Sequence, residues 1–135
     1  MANTTQRTSE LLVVTRNETG ALARVTAPLA QSNINIECYC SYDWGTESAF
    51  RFITSNNKKA RELLTKAGWN VQENPTVLWT APNKPGILRK ATGALAEMKV
   101  DIYASYSAAQ PGDTSCTIAF TTSNPEKTAE TLNRL

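Results

Sequence analysis

Two short segments carry residues suited to holding an anion. Asn17-Glu18-Thr19-Gly20-Ala21-Leu22 and Asn83-Lys84-Pro85-Gly86-Ile87-Leu88 each set a glycine directly before an apolar pattern of helical spacing. A helix that starts there leaves its first backbone N–H groups unpaired and carries partial positive charge, which suits a carboxylate. Gly20 and Gly86 permit close backbone approach, and the side-chain amides of Asn17 and Asn83 can donate or accept beside them. Such a contact contributes about 0.3–1 kcal/mol when exposed and up to ~2 kcal/mol when partly buried. The same residues also make an ordinary turn followed by a helix start, so chemistry alone leaves both readings open.

Other chemistries have little to work with. The 135 residues include no His, which removes Ser–His and Cys–His nucleophile pairs and all His metal ligands. No pair of carboxylates is spaced for acid–base work, so an enzyme is not expected, nor any cofactor. Cys38 and Cys40 have the spacing of a soft-metal pair, but they alternate with Ile34 and Ile36 and read as packing thiols on one buried face. Cys116, in register with Ile118 and Phe120, reads the same way. Three cysteines are an odd number, which fits a reducing interior better than a disulfide framework. Lys58, Lys59 and Arg61 read as a solvated helix face, and Arg51 as exposed on the strand face opposite Phe50. Phe50 and Phe52 lie in no RNA-binding motif, while Tyr39, Tyr103 and Trp44 are candidates for an interface or a ligand wall.

A formal charge of +2 gives no electrostatic case for nucleic acid or an anionic membrane. The longest aliphatic run, Leu11 to Val14, cannot span a bilayer. With no leader-like opening, the expectation is a cytoplasmic protein.

The elements that position the two turns come from a duplication. Leu12, Asn17, Gly20, Leu22, Thr26, Leu29, Ala30, Ile36 and Ser41 meet identical residues 66 positions on, from Leu78 to Ser107. Thr54-Ser55-Asn56 matches Thr122-Ser123-Asn124, and the two extra residues fall near the turn-forming Pro111-Gly112.

In the first repeat, Leu11 to Thr15 reads as a strand and Ala21 to Gln31 as a helix with Leu22, Val25 and Leu29 inward. Ile34 to Tyr42 alternates as a second strand, and Phe50 and Phe52 share a face of a third. Asn56 caps a second helix, with Ala60, Leu63, Leu64 and Ala67 inward, and Gly68 ends it before a fourth strand at Trp69 to Glu73. The order strand-helix-strand-strand-helix-strand is the ferredoxin-like α+β pattern. The second repeat follows it through a helix opened by Pro125, then ends at Leu135 without a fourth strand.

Three domain-level expectations follow. Residues 1–10, polar and Thr-rich, form a mobile tail, with one unit at 11–74 and another at 75–135. Asn74-Pro75 lacks the residues of a tight reversal, so one long strand is shared across that joint. The missing last strand leaves Val77 to Thr80 as an open edge, which predicts pairing with a second chain as a homodimer.

The two turns, each followed by an amphipathic helix and then Asn33-Ile34-Asn35-Ile36 or Lys99-Val100-Asp101-Ile102, resemble the signature of ACT domains. The resemblance covers Leu11 to Leu135 as a tandem pair. It implies ferredoxin-like units that pair edge to edge and bind small ligands, usually amino acids, at their interfaces, between the strand–helix turn of one unit and the start of the second strand of a neighbour. The positions so implied are Asn17, Gly20, Asn83 and Gly86 in the turns and Asn35 and Asp101 in the strands, with Ala21, Leu22, Ile36, Ile87, Leu88 and Ile102 beside them. Thr19 stands where the family prefers proline and Asp101 where an amide is expected, and Asp101 would repel a carboxylate but attract an ammonium group. The function implied is an amino-acid-binding regulatory module that acts through ligand-linked assembly or an unidentified partner protein. The alternative is a structural or protein-interaction module that no longer binds a ligand.

Overall fold

The computed structural model describes residues 3–135. Its elements are β1 (Thr4–Arg16), α1 (Ala21–Gln31), β2 (Ile36–Trp44), β3 (Glu47–Thr54), α2 (Asn57–Lys66), β4 (Val71–Pro82), α3 (Ile87–Glu97), β5 (Ile102–Ala108), β6 (Ser115–Thr122) and α4 (Pro125–Asn133). This is the α+β, ferredoxin-like pattern read from the sequence, twice over. The chain divides into two compact units, one of Ser9–Asn74 and one that joins the residues up to Thr8 to Pro75–Leu135.

In the first unit the hydrogen-bonded strand order is β2-β3-β1-β4. Leu11 and Val13 of β1 and Phe50 and Phe52 of β3 point to one face and pack on Val25 and Leu29 of α1 and Ala60 and Leu64 of α2. The inward spacing of those helical residues is what fixes each helix on the sheet. α2 starts where Asn56 accepts from the Lys59 N–H at 3.1 Å, a side-chain cap that satisfies one orphan donor.

The second unit has the order β1-β4-β6-β5. Its core gathers Val77 and Trp79 of β4, Ala91 and Leu95 of α3, Phe120 of β6 and Leu132 of α4. Asn124 caps α4 through the Lys127 N–H at 3.0 Å, repeating the Asn56 device, and Pro125 follows at the first turn. β4 runs unbroken through Asn74-Pro75.

Two expectations are corrected here. Residues 4–10 are not a mobile tail but the first half of β1, and residues up to Thr8 belong with β4 to the second unit. The remaining tail positions, Met1 and Ala2, lie outside the described residues. The Thr-rich composition, read as disorder, is compatible with an extended strand because threonine is β-branched. Two side-chain bonds fasten the segment: Trp79 Nε1 donates to Asn3 Oδ1 at 2.7 Å, and Thr5 Oγ1 donates to Asn133 Oδ1 at 3.0 Å. β4 therefore lies between β1 and β6, and Val77 to Thr80 is no open edge. That side of β4 is thus no pairing site for a second chain. Deleting residues 1–8 is expected to expose that side of β4 and to produce concentration-dependent association in light scattering beyond that of the full chain.

Candidate functional site

Both strand–helix turns are built alike. Gly20 and Gly86 sit directly before α1 and α3 with φ of 85° and 88°, in the left-handed region that favours glycine. Neither residue offers a side-chain cap, unlike Asn56 and Asn124 before the other two helices. The Ala21 and Ile87 N–H groups fold back onto the Glu18 and Lys84 carbonyls, at 3.2 and 3.3 Å. Ala21 is a core residue, and Ile87 packs against the core of the second unit.

The asparagines of these turns serve the fold. The Asn17 side chain donates to Asp43 Oδ2 at 2.8 Å and the Gly45 carbonyl at 3.1 Å, while its carbonyl accepts from Ser48 Oγ at 3.1 Å. Both amide hydrogens are thus committed to fastening the turn onto the β2–β3 hairpin. Asn83 donates from its side chain to the Asp113 carbonyl at 3.0 Å and from its backbone to Thr114 at 3.0 Å. An open polar recess of about 690 Å³ lies beside Asn17, lined by Arg16, Gly45, Thr46 and Glu47 as well.

The second-strand starts are also matched. Asn35 and Asp101 are exposed, and each exchanges backbone bonds with a serine that follows a strand: Asn35 with Ser55 and Asp101 with Ser123. The side chains of both are left at the surface.

Beyond Ile36 the strand departs from its expected alternation. A bulge between Ile36 and Cys38 shifts the pairing, so that Ile36 faces Thr54, Cys38 faces Ile53 and Tyr39 faces Phe52. The extra residue reverses the side-chain parity. Cys38 and Cys40 turn to the face opposite Ile36, half-buried rather than in the helix-facing core expected for them. Burial pushes both thiols above their ordinary range; Cys40 adds to the shift at Cys38, and at Cys40 Arg51 opposes it while Glu10 adds to it. Cys116, by contrast, is buried in the second core.

The same bulge brings Tyr39 alongside Ile36 on the helix-facing side. Tyr39, Ile36 and Phe52 then face Leu22, Ala23 and Thr26 of α1 across a cavity of about 410 Å³. Of the residues singled out in the sequence, Leu22, Ile36 and Tyr39 meet in this cavity, the first two following a strand–helix turn and a second-strand start. Ala23, Thr26 and Phe52 were not anticipated there. The second repeat repeats the bulge, between Ile102 and Ala104, with Ile102 against its core and Leu88 52% exposed.

Arg51 is the other correction. Its side chain is only 12% exposed and ion-paired with Glu10, whose side chain is fully buried. Glu10 also accepts from Asn74 Nδ2 at 3.0 Å, and Arg51 Nε donates to the Tyr42 hydroxyl at 3.3 Å. Burial works against the Arg51 charge, but the bonds to Tyr42 and Glu10 outweigh it and hold its pKa above the ordinary value. No described helix is long and apolar enough to cross a membrane, and no group of three or more potential ligands among the described residues is placed to hold a metal.

The sequence model of the ACT domain pair matches residues 6–134. The chain belongs to that family. Among solved structures, the ACT pair is similar to protein BT0572 from Bacteroides thetaiotaomicron, with 29% identity over 96% of this chain and 89% of that one and a TM-score of 0.86. The regulatory subunit of aspartate kinase from Thermus thermophilus, in its ligand-free form, shares the fold at 13% identity and a TM-score of 0.72, covering 98% of this chain and 97% of that one. The corresponding subunit from Thermus flavus does so at 17% identity and a TM-score of 0.65, over 99% and 95%. No curated protein sequence matches the chain.

Proposed function

We propose that this ACT pair is a regulatory module, not an enzyme, that binds a free amino acid at its first repeat. The observation that carries the reading is the cavity between α1 and β2, because Leu22 and Ile36 in its wall follow directly on a strand–helix turn and on the start of a second strand, the two kinds of segment that the family's clamp uses. The uncapped start of α1 after Gly20 takes the carboxylate, and Asn35 takes the ammonium group. In the second repeat, the start of α3 after Gly86 and the carboxylate of Asp101 offer the corresponding pair. The commitment of Asn17 and Asn83 to the fold assigns them a supporting role, holding the turns in place. Family membership and a fold shared with regulatory subunits of aspartate kinase support regulation over catalysis.

Affinities between about 1 mM and 1 μM require ~4–8 kcal/mol, within reach of such a site. Ligand binding would change the affinity for a second chain or a partner protein by about 1–3 kcal/mol through linkage. β2 and β5 each bond a neighbour on one side only, and pairing along one of these strands is the route to a homodimer. The setting we propose is the cytoplasm, in keeping with three cysteines that form no disulfide.

A thermal-shift panel of the twenty amino acids tests the reading. One or a few are expected to raise the midpoint, with about 2.7 kcal/mol gained at a hundredfold excess over Kd. A panel silent at several millimolar would overturn it and favour a module that no longer binds a ligand, a reading to which the committed side chains of Asn17 and Asn83 lend weight.

A further inference from the structure

We infer that the ligand of the first repeat is an amino acid with a large apolar side chain, and that the second repeat does not share this specificity. The inference rests on the amino-acid reading above and narrows it.

The cavity wall has no charged side chain: it is made by Leu22, Ala23, Thr26, Ile36, Tyr39 and Phe52. Its one aliphatic hydroxyl, on Thr26, is turned back onto α1, with the Leu22 carbonyl at 3.0 Å and the Ala23 carbonyl at 3.2 Å. That hydroxyl has no hydrogen to offer a ligand. A carboxylate or ammonium side chain entering between Phe52 and Ile36 would lose water without gaining a partner of opposite charge, a large penalty. A leucine or phenylalanine side chain meets apolar surface on both sides, with the Tyr39 ring as the outer wall. That ring is 57% exposed, so an incoming apolar group would cover it. A volume of about 410 Å³ falls within the range of ligand pockets, roughly 300–1,000 Å³. Alanine or serine would leave most of it unfilled.

The second repeat has the same backbone and different walls. Its bulge sets Ser105 opposite Phe120, where the first repeat sets Tyr39 opposite Phe52. Arg89 follows Leu88 where Ala23 follows Leu22. One change removes the aromatic wall, and the other replaces a methyl group by an exposed arginine whose guanidinium lies beside Gly93. A charge and a hydroxyl in place of apolar surface disfavour an apolar side chain there.

Isothermal titration of the full chain with L-leucine, L-phenylalanine, L-alanine, L-serine, L-aspartate and L-lysine tests this. Leucine or phenylalanine is expected to bind with one site per chain, and alanine at least about tenfold more weakly. Ala23→Arg, at an exposed helical position that tolerates a good helix former, is expected to weaken binding by at least about tenfold while leaving the thermal midpoint near that of the parent. Tyr39→Ser should act in the same direction, and Arg89→Ala should leave the isotherm unchanged. Tighter binding of serine, aspartate or lysine, two equal sites, or indifference to both Ala23→Arg and Tyr39→Ser would overturn the inference while leaving the amino-acid reading intact. Silence from all twenty amino acids would overturn that reading as well.

Discussion

Arg51→Ala is expected to destabilise the protein by about 3–5 kcal/mol, because it leaves a buried charge without its ion pair. Glu10 is fully buried and Arg51 nearly so, and their pair is supported by Asn74 and Tyr42. The Coulombic gain of a buried pair is offset largely by the cost of taking both charges out of water. Removing one partner keeps that cost for the survivor and discards the gain. Replacing both, as Glu10→Leu with Arg51→Met, removes the cost too and should recover at least half of the loss. Urea unfolding of the two single variants and the double variant measures the coupling directly. A loss below 1 kcal/mol in Arg51→Ala would show that the pair is solvated in solution.

Trp79→Ala is the second large effect, expected at about 3–5 kcal/mol from lost burial and the cavity left behind. Trp79 is fully buried at the centre of the second core, against a face that also holds Phe120, Leu95 and Leu132. Its indole N–H also binds Asn3, so the ring anchors the start of β1. Trp79→Phe keeps most of the apolar volume and loses that bond, and should cost only about 1–2 kcal/mol. Chemical denaturation separates the two variants. Equal losses would assign the effect to the Asn3 bond and not to packing.

The elements most plainly written in the sequence are those set by local chemistry. Gly20 and Gly86 mark uncapped helix starts because only glycine adopts that φ at little cost, and Asn56 and Asn124 mark capped ones because a short polar side chain reaches the third N–H. The inward residues of the helices follow from their spacing. What the sequence concealed depends on partners far away in the chain. Thr4 to Thr8 look like a tail until β4 is there to bond them. Arg51 looks exposed until the register sets it near Glu10, 41 positions distant.

The bulge is the most consequential of these. Neither glycine nor proline marks it, and a period of two read through Ile34, Ile36, Cys38, Cys40 and Tyr42 gives the wrong face from Cys38 onward. Half of the candidate site was nevertheless visible: Leu22 and Ile36 follow from the turn and strand starts, and Tyr39 stood out as a possible ligand wall. Tyr39 and Phe52 become neighbours only through the reversed parity, and Ala23 has no distinguishing mark of its own.

The most direct measurement is an amide chemical-shift titration of the isotopically labelled full chain with the amino acid that gives the largest thermal shift. The account predicts saturable changes centred on Gly20 to Thr26 and Asn35 to Tyr39, with much smaller ones at Gly86 to Thr92 and Asp101 to Ser105. Saturable changes centred elsewhere, or none at millimolar ligand, would contradict it.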